Sequence, residues 1–152
     1  VTPDYLAQNP HLKFAEGPDD TGVIVSYNTE APGTASNPVV LPGALAINPL
    51  TWTRQETLAT NDYNLGSIKL NSDGSVARDA NGNQILMTPV ADAQVNQTRG
   101  VVVCSAVDVN VYSPGPPQSA WPRGVYHRFD YPFYYFNLRA NSEDRINAFI
   151  SR

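Results

Sequence analysis

Cysteine is almost missing from this chain: Cys104 is the only one in 152 residues. A single thiol excludes an intrachain disulfide framework and any zinc site built from several thiolates. Its place at the end of the apolar run Val101-Val102-Val103-Cys104 reads as a buried, inert thiol. That run is also among the longest apolar stretches, far short of the ~20 residues that span a bilayer, so no membrane span is expected. Lysine occurs only at Lys13 and Lys69, the formal net charge is −4 with a pI near 4.9, and no segment gathers basic residues. Phosphate neutralisation needs such a cluster, and nucleic acid is excluded as a partner on that ground. The chain opens on Val1 rather than Met, from which we expect that a leader, a tag or a larger segment once preceded it.

What is present in excess is punctuation. Thirteen Pro and ten Gly, against 41% hydrophobic and 16% charged residues, describe a loop-rich domain with short elements. A chain of this length still buries roughly 70% of its unfolded surface when folded as one unit.

Residues 1–29 read as an approach segment followed by a first core strand. Gly17-Pro18-Asp19-Asp20 signals a turn, and Gly22-Val23-Ile24-Val25-Ser26-Tyr27-Asn28-Thr29 is β-branched, aromatic and turn-bounded, as a buried strand is. Residues 30–98 read as a loop-rich β insertion. Within it, 67–90 alternates as a three-stranded meander, with Asp73-Gly74 and Asn81-Gly82 expected to supply two-residue hairpin turns. Residues 99–152 hold a second core strand over Arg99–Val107, a histidine-bearing loop and a terminal helix. Ser142 followed by Glu143 and Asp144 places that helix at 142–151, with Leu138, Ile146, Phe149 and Ile150 as an apolar face. The fold class expected from this order is α/β, with the β-rich meander inserted into the scaffold.

Few residues offer chemistry. His127 lies in Arg123-Gly124-Val125-Tyr126-His127-Arg128-Phe129-Asp130, a loop leading into a helix, where a general base reaches a cleft while the helix fixes its backbone. The bland alternative is a surface histidine with Asp130 as a local salt partner. Asp108 closes the second apolar run, so its carboxylate emerges at a strand end and could orient the imidazole; a turn-forming aspartate explains the position equally well. Glu30, at the end of the first strand, competes for the same role. His11 has no visible partner. A nucleophile elbow needs G-x-S-x-G, and the nearest approach, Gly33-Thr34-Ala35-Ser36-Asn37, has the wrong spacing, leaving Ser36 structural. Asp73 and Asp79-Ala80-Asn81-Gly82-Asn83 have the alternation of a calcium loop but lack its later glutamate, and hairpin turns account for them. Asn96-Gln97-Thr98 is a glycosylation sequon if the source modifies secreted proteins.

Three separated segments carry a resemblance: Thr21-Gly22-Val23-Ile24-Val25-Ser26-Tyr27-Asn28-Thr29-Glu30, then Pro42-Gly43-Ala44-Leu45-Ala46-Ile47-Asn48-Pro49-Leu50-Thr51-Trp52, then Gly124-Val125-Tyr126-His127. Together they resemble the C-terminal part of a poorly characterised bacterial family of lipase-like α/β-hydrolases. The two lysines and the Pro-rich loops fit a secreted or periplasmic protein. The resemblance implies an ester hydrolase of the esterase or lipase type, with no metal or organic cofactor. It implies that His127 is the relay histidine, since in such folds it precedes the last helix, with Asp108 as the acid. It also implies that the serine lies upstream, in the protein's own N-terminal half or in a second chain, because this chain lacks it. Residues 30–98 would then be lid-like, with Trp52, Tyr63 and Leu65 meeting an apolar ester substrate. The competing expectation is a non-enzymatic secreted binding or structural module, in which Tyr131, Phe133, Tyr134, Tyr135 and Phe136 form core or a contact surface.

Overall fold

A computed structural model describes residues 1–88 and 90–151. Pro89, within the expected meander, and Arg152, at the end of the expected C-terminal segment, lie outside the described residues. Three short strands form one mixed sheet: β1 (Thr29–Glu30), β2 (Gln94–Asn96) and β3 (Val101–Val103). The order is β1-β3-β2, with β1 parallel and β2 antiparallel to β3. Four helices accompany it: α1 (Pro3–Gln8), α2 (Val109–Tyr112), α3 (Asp130–Phe133) and α4 (Tyr135–Ile150).

The first strand is much shorter than its β-branched sequence predicts, for a reason that lies outside the segment. Over residues 22–28 the backbone bonds are divided among three partners: Ile24 with Lys13 and Ala15, Ser26 with Ile47, and Asn28 with Val102. A continuous ladder needs one partner running alongside, and only Thr29 and Glu30 have it. Val23, Ile24 and Val25 are half-buried, whereas Thr29 and Glu30 are fully enclosed. The second expected strand also contracts, from 99–107 to Val101–Val103.

Gly100 turns β2 into β3. Its φ is +67°, its N–H bonds Asn96 O at 2.8 Å, and a Cβ there would collide with the Ala44 carbonyl, so only glycine fits. The parallel strands β1 and β3 are joined by residues 31–100, in which the one helical turn among the described residues is the 3-10 turn Asn61–Tyr63. That connection is not peripheral. Ala46, Leu50, Ala59, Met87, Ala91, Ala93 and Val95 share one buried cluster with Val102, Cys104, Tyr126, Phe133 and Tyr134.

The meander region closes on itself. Lys69 N–H bonds Ile85 O, Ile85 N–H bonds Ala77 O, and Ala77 N–H bonds Lys69 O, at 2.8, 2.9 and 2.9 Å. Three segments are thus joined in a closed ring of hydrogen bonds, and Ile68, Ala77 and Met87 on them are buried. The turns differ from the two-residue type expected. Asn71 N–H bonds Ser75 O while Gly74 N–H bonds Asn71 O, and Asp79, Gly82 and Asn83 repeat the pattern. These are three-residue loops whose glycine supplies the positive φ after an ordinary turn.

Helix α4 begins seven positions before the expected start at 142. Ser142 is therefore inside the helix, where its hydroxyl bonds back to Leu138 O at 2.8 Å. The fully buried side chains of α4 are Asn137 and Asn141; of the expected apolar face Leu138 is half-buried against the main core cluster, while Ile146, Phe149 and Ile150 are exposed. Asn137 accepts from Leu65 N–H and donates to Tyr63 O, at 2.8 and 2.9 Å. Asn141 donates to Pro18 O, and Arg145 holds Gly17 O and Asp20 O beside it. The helix docks by gripping loop carbonyls. No helix among the described residues is long and apolar enough to cross a membrane.

Candidate functional site

The segment before α3 is laid against the free side of β1. Glu30 bridges Val125 antiparallel, Ala31 N–H bonds Gly124 O at 2.8 Å, and Tyr126 N–H bonds Thr29 O at 2.9 Å. Gly124 permits this approach: its φ is +87°, and a Cβ would strike the Thr34 hydroxyl. Tyr126 is then buried without remainder, and the chain turns through a 3-10 turn, His127–Phe129, into α3. Phe133 stacks on Phe129 at 5.2 Å and meets the edges of Tyr112 and Tyr126 at 5.6 and 5.3 Å. Tyr134, also fully buried, donates its hydroxyl to Asp92 O at 2.9 Å. Of the aromatic run, Phe133 and Tyr134 are core, while Tyr131 is exposed.

This turn brings His127 to Asp130. His127 Nδ1 lies 2.9 Å from Asp130 Oδ2, and Asp130 Oδ1 accepts the Thr29 N–H at 2.6 Å. Asp130 is only 5% exposed, whereas the His127 side chain is 44% exposed. A carboxylate held between a backbone amide and an imidazole fixes the ring, with Nδ1–H donating and Nε2 left as the basic nitrogen. Burial pushes the Asp130 carboxyl up, to about 6, against the hydrogen bonds from Thr29 and His127 that favour its ionised form. Trp121 meets the imidazole edge to face, ring centroids 5.2 Å apart.

The two acids expected from strand ends stand elsewhere. Asp108 caps α2, its carboxylate accepting from Asn110 N–H at 2.8 Å and from the Asn110 amide at 3.0 Å. Glu30 is buried and engaged with Arg99, at 2.6 and 3.1 Å, and with Asn37 at 3.1 Å. The carboxylate in contact with His127 is Asp130, the residue that sequence reasoning considered only as a salt partner. Its signal was the spacing His127-Arg128-Phe129-Asp130: one 3-10 turn sets residues three apart over each other.

Other polar residues are spent on structure. At the end of β3, Asp92 accepts the Ser105 hydroxyl and the N–H groups of Ser105 and Ala106. Burial opposes the ionised form of Asp92, but these bonds prevail and hold it below the usual carboxylate range. Burial pushes the adjacent Cys104 thiol up, which keeps it protonated. Ser36 is exposed in its loop, and Trp52 is buried, while Tyr63 and Leu65 face solvent. Asp73 and Asp79 accept from the amides of their own turns. Among the described residues no group of three or more metal-ligating side chains gathers.

No family model, no curated protein and no solved structure matches this chain.

What the site can do therefore follows from its own atoms. A half-exposed imidazole, oriented by a buried carboxylate that a sheet amide anchors, is able to accept a proton at Nε2 and return it. Among the described residues no hydroxyl is hydrogen-bonded to that ring.

Proposed function

We propose that this chain is the histidine-bearing part of a serine-hydrolase-like protein acting on esters, with His127 as general base and Asp130 as its orienting carboxylate. The observation that carries the reading is the His127–Asp130 contact at 2.9 Å, with Asp130 locked to the Thr29 amide. The resemblance in 21–30, 42–52 and 124–127 points the same way. The serine belongs to the protein's N-terminal half or to a second chain, in an exported protein.

In the chemistry this implies, His127 Nε2 takes the proton of the serine hydroxyl as the oxygen attacks the ester carbonyl. The imidazolium so formed is stabilised by Asp130 and gives the proton to the departing alkoxide as the acyl–oxygen bond breaks. Water then repeats the cycle on the acyl-enzyme, releasing the acid and restoring the serine.

The test uses the full-length protein or the native assembly with a fluorophosphonate probe. Labelling of a serine outside this chain, lost in His127→Ala and restored by added imidazole, supports the role. Absence of any labelled serine in the intact material overturns it and leaves a binding or structural module.

A further inference from the structure

A cleft of about 510 Å³ opens between α2 and the loop that carries Trp121, the residue whose ring meets His127. Tyr112, Trp121 and Phe129 supply aromatic walls, and Gln118, Ser119 and Arg128 supply polar ones. Trp121 belongs both to this cleft and to the edge-to-face contact with the His127 ring, so a molecule seated here touches a side chain that itself touches the imidazole. Arg128 is fixed in place: Nη2 donates to Asn71 O and Ser72 O at 2.7 and 3.0 Å, and the guanidinium stands over Phe129.

Several polar groups of this lining are uncommitted. The Trp121 indole N–H, the Tyr112 hydroxyl and the Gln118 amide take no hydrogen bond among the described residues, and burial alone raises the Tyr112 phenol's pKa. An alkyl chain filling the cleft would take these groups from water without replacing their hydrogen bonds, which is unfavourable for each of them. A flat ring bearing a hydroxyl avoids that cost. Its face packs on the aromatic walls, and its hydroxyl both donates and accepts.

We infer that this cleft binds a phenolic ring, and that the ester acted on at His127 carries that ring rather than a long acyl chain. The second half of this statement rests on the proposed hydrolase role; the first does not.

The experiment is a titration of the nitrogen-labelled chain with the methyl ester of para-hydroxyphenylpropanoic acid, followed by proton–nitrogen correlation spectra. The two indole signals serve as probe and control, since Trp121 lines the cleft and Trp52 is buried elsewhere. We expect the Trp121 indole and the Val125 and Phe129 amides to shift saturably while the Trp52 indole stays still. The ester lacking the ring hydroxyl should bind about tenfold more weakly, the factor that one hydrogen bond of ordinary strength carries. Methyl octanoate should produce no saturable shift. Trp121→Leu should abolish the shifts at Val125 and Phe129, and the wild-type spectra decide the matter even if that variant misfolds. No saturable shift at Trp121, or octanoate binding as tightly as the phenol, overturns the inference. Saturable binding without serine labelling in the intact protein would remove the hydrolase role and leave the phenolic site standing. Labelling without phenol binding would do the reverse.

Discussion

Thr29 and Asp130, 101 positions apart in the chain, are joined by a 2.6 Å hydrogen bond from the Thr29 amide to the Asp130 carboxylate. The bond ties the end of β1 to the start of α3, and His127 takes its orientation from the other oxygen of the same carboxylate. Disturbing Asp130 should therefore be felt in the sheet, in the helix and at the imidazole together.

The pH dependence has a definite sign. Burial raises the Asp130 carboxyl to about 6, above its usual 3.8, so the folded protein holds a proton that the unfolded chain releases between those values. This group's contribution to stability is present in full below the unfolded value and declines as pH rises through the folded one. Asp130→Asn, which cannot ionise, should compare more favourably with wild type in melting temperature at about pH 7.5 than at about pH 4.5. A carbon-detected titration of the carboxyl that places it below its usual value would contradict the argument.

Catalysis separates the acids. If the intact protein labels with a fluorophosphonate, Asp130→Asn should slow labelling by about 10³–10⁴-fold, the scale of losing the carboxylate that sets a relay tautomer. Asp108→Ala removes only the cap of a one-turn helix; it should cost about 1 kcal/mol in urea unfolding and change the labelling rate by less than about twofold. Equal losses in the two variants would return the acid role to Asp108.

Glu30 and Arg99 form an ion pair at the end of β1, with Glu30 2% exposed and Arg99 reaching partly into solvent. Arg99→Met leaves a buried carboxylate without its charge partner and should destabilise the fold by about 3 kcal/mol. Glu30→Gln combined with Arg99→Met should recover part of that loss in a denaturation double-mutant cycle. Strict additivity of the two single changes would show that the pair is not coupled.

The buried face of α4 reverses the usual mutational pattern. Asn137→Leu, a gain in apolarity, strands the Leu65 N–H and the Tyr63 carbonyl and should cost about 2–4 kcal/mol. Ile146→Ser, a loss in apolarity at an exposed position, should change stability by less than about 0.5 kcal/mol. Chemical denaturation of both variants checks the order; the opposite order would mean that α4 packs through its apolar residues.

Local features were legible from sequence, and long-range ones were not. The glycines of the two meander turns announce their positive φ within five residues, although whether two or three residues close the loop depends on how the segments meet. The histidine before a helix was visible, as was a buried Cys104 after a valine run. The short β1 was hidden because residues 22–28 divide their backbone bonds among partners near positions 14, 47 and 102, which no local pattern encodes. The early start of α4 was hidden in the same way. Its buried asparagines answer to the carbonyls of Pro18 and Tyr63, and an asparagine on a helix ordinarily reads as solvent-facing. Asp130 was in plain view, but its burial depends on Thr29 and Tyr27, which cover it from the far end of the chain.

The three-segment ring at Lys69, Ala77 and Ile85 has a consequence for how the molecule behaves in company. Each of these residues spends its amide on one neighbour and its carbonyl on the other, so at this level the unit offers no unpaired backbone to a passing strand. An excursion rich in β-forming residues is in this way insulated against templated pairing between copies. Its outer turn, Ala80-Asn81-Gly82, is accordingly the position where a tag or an inserted loop should be carried with least disturbance to the sheet and to His127.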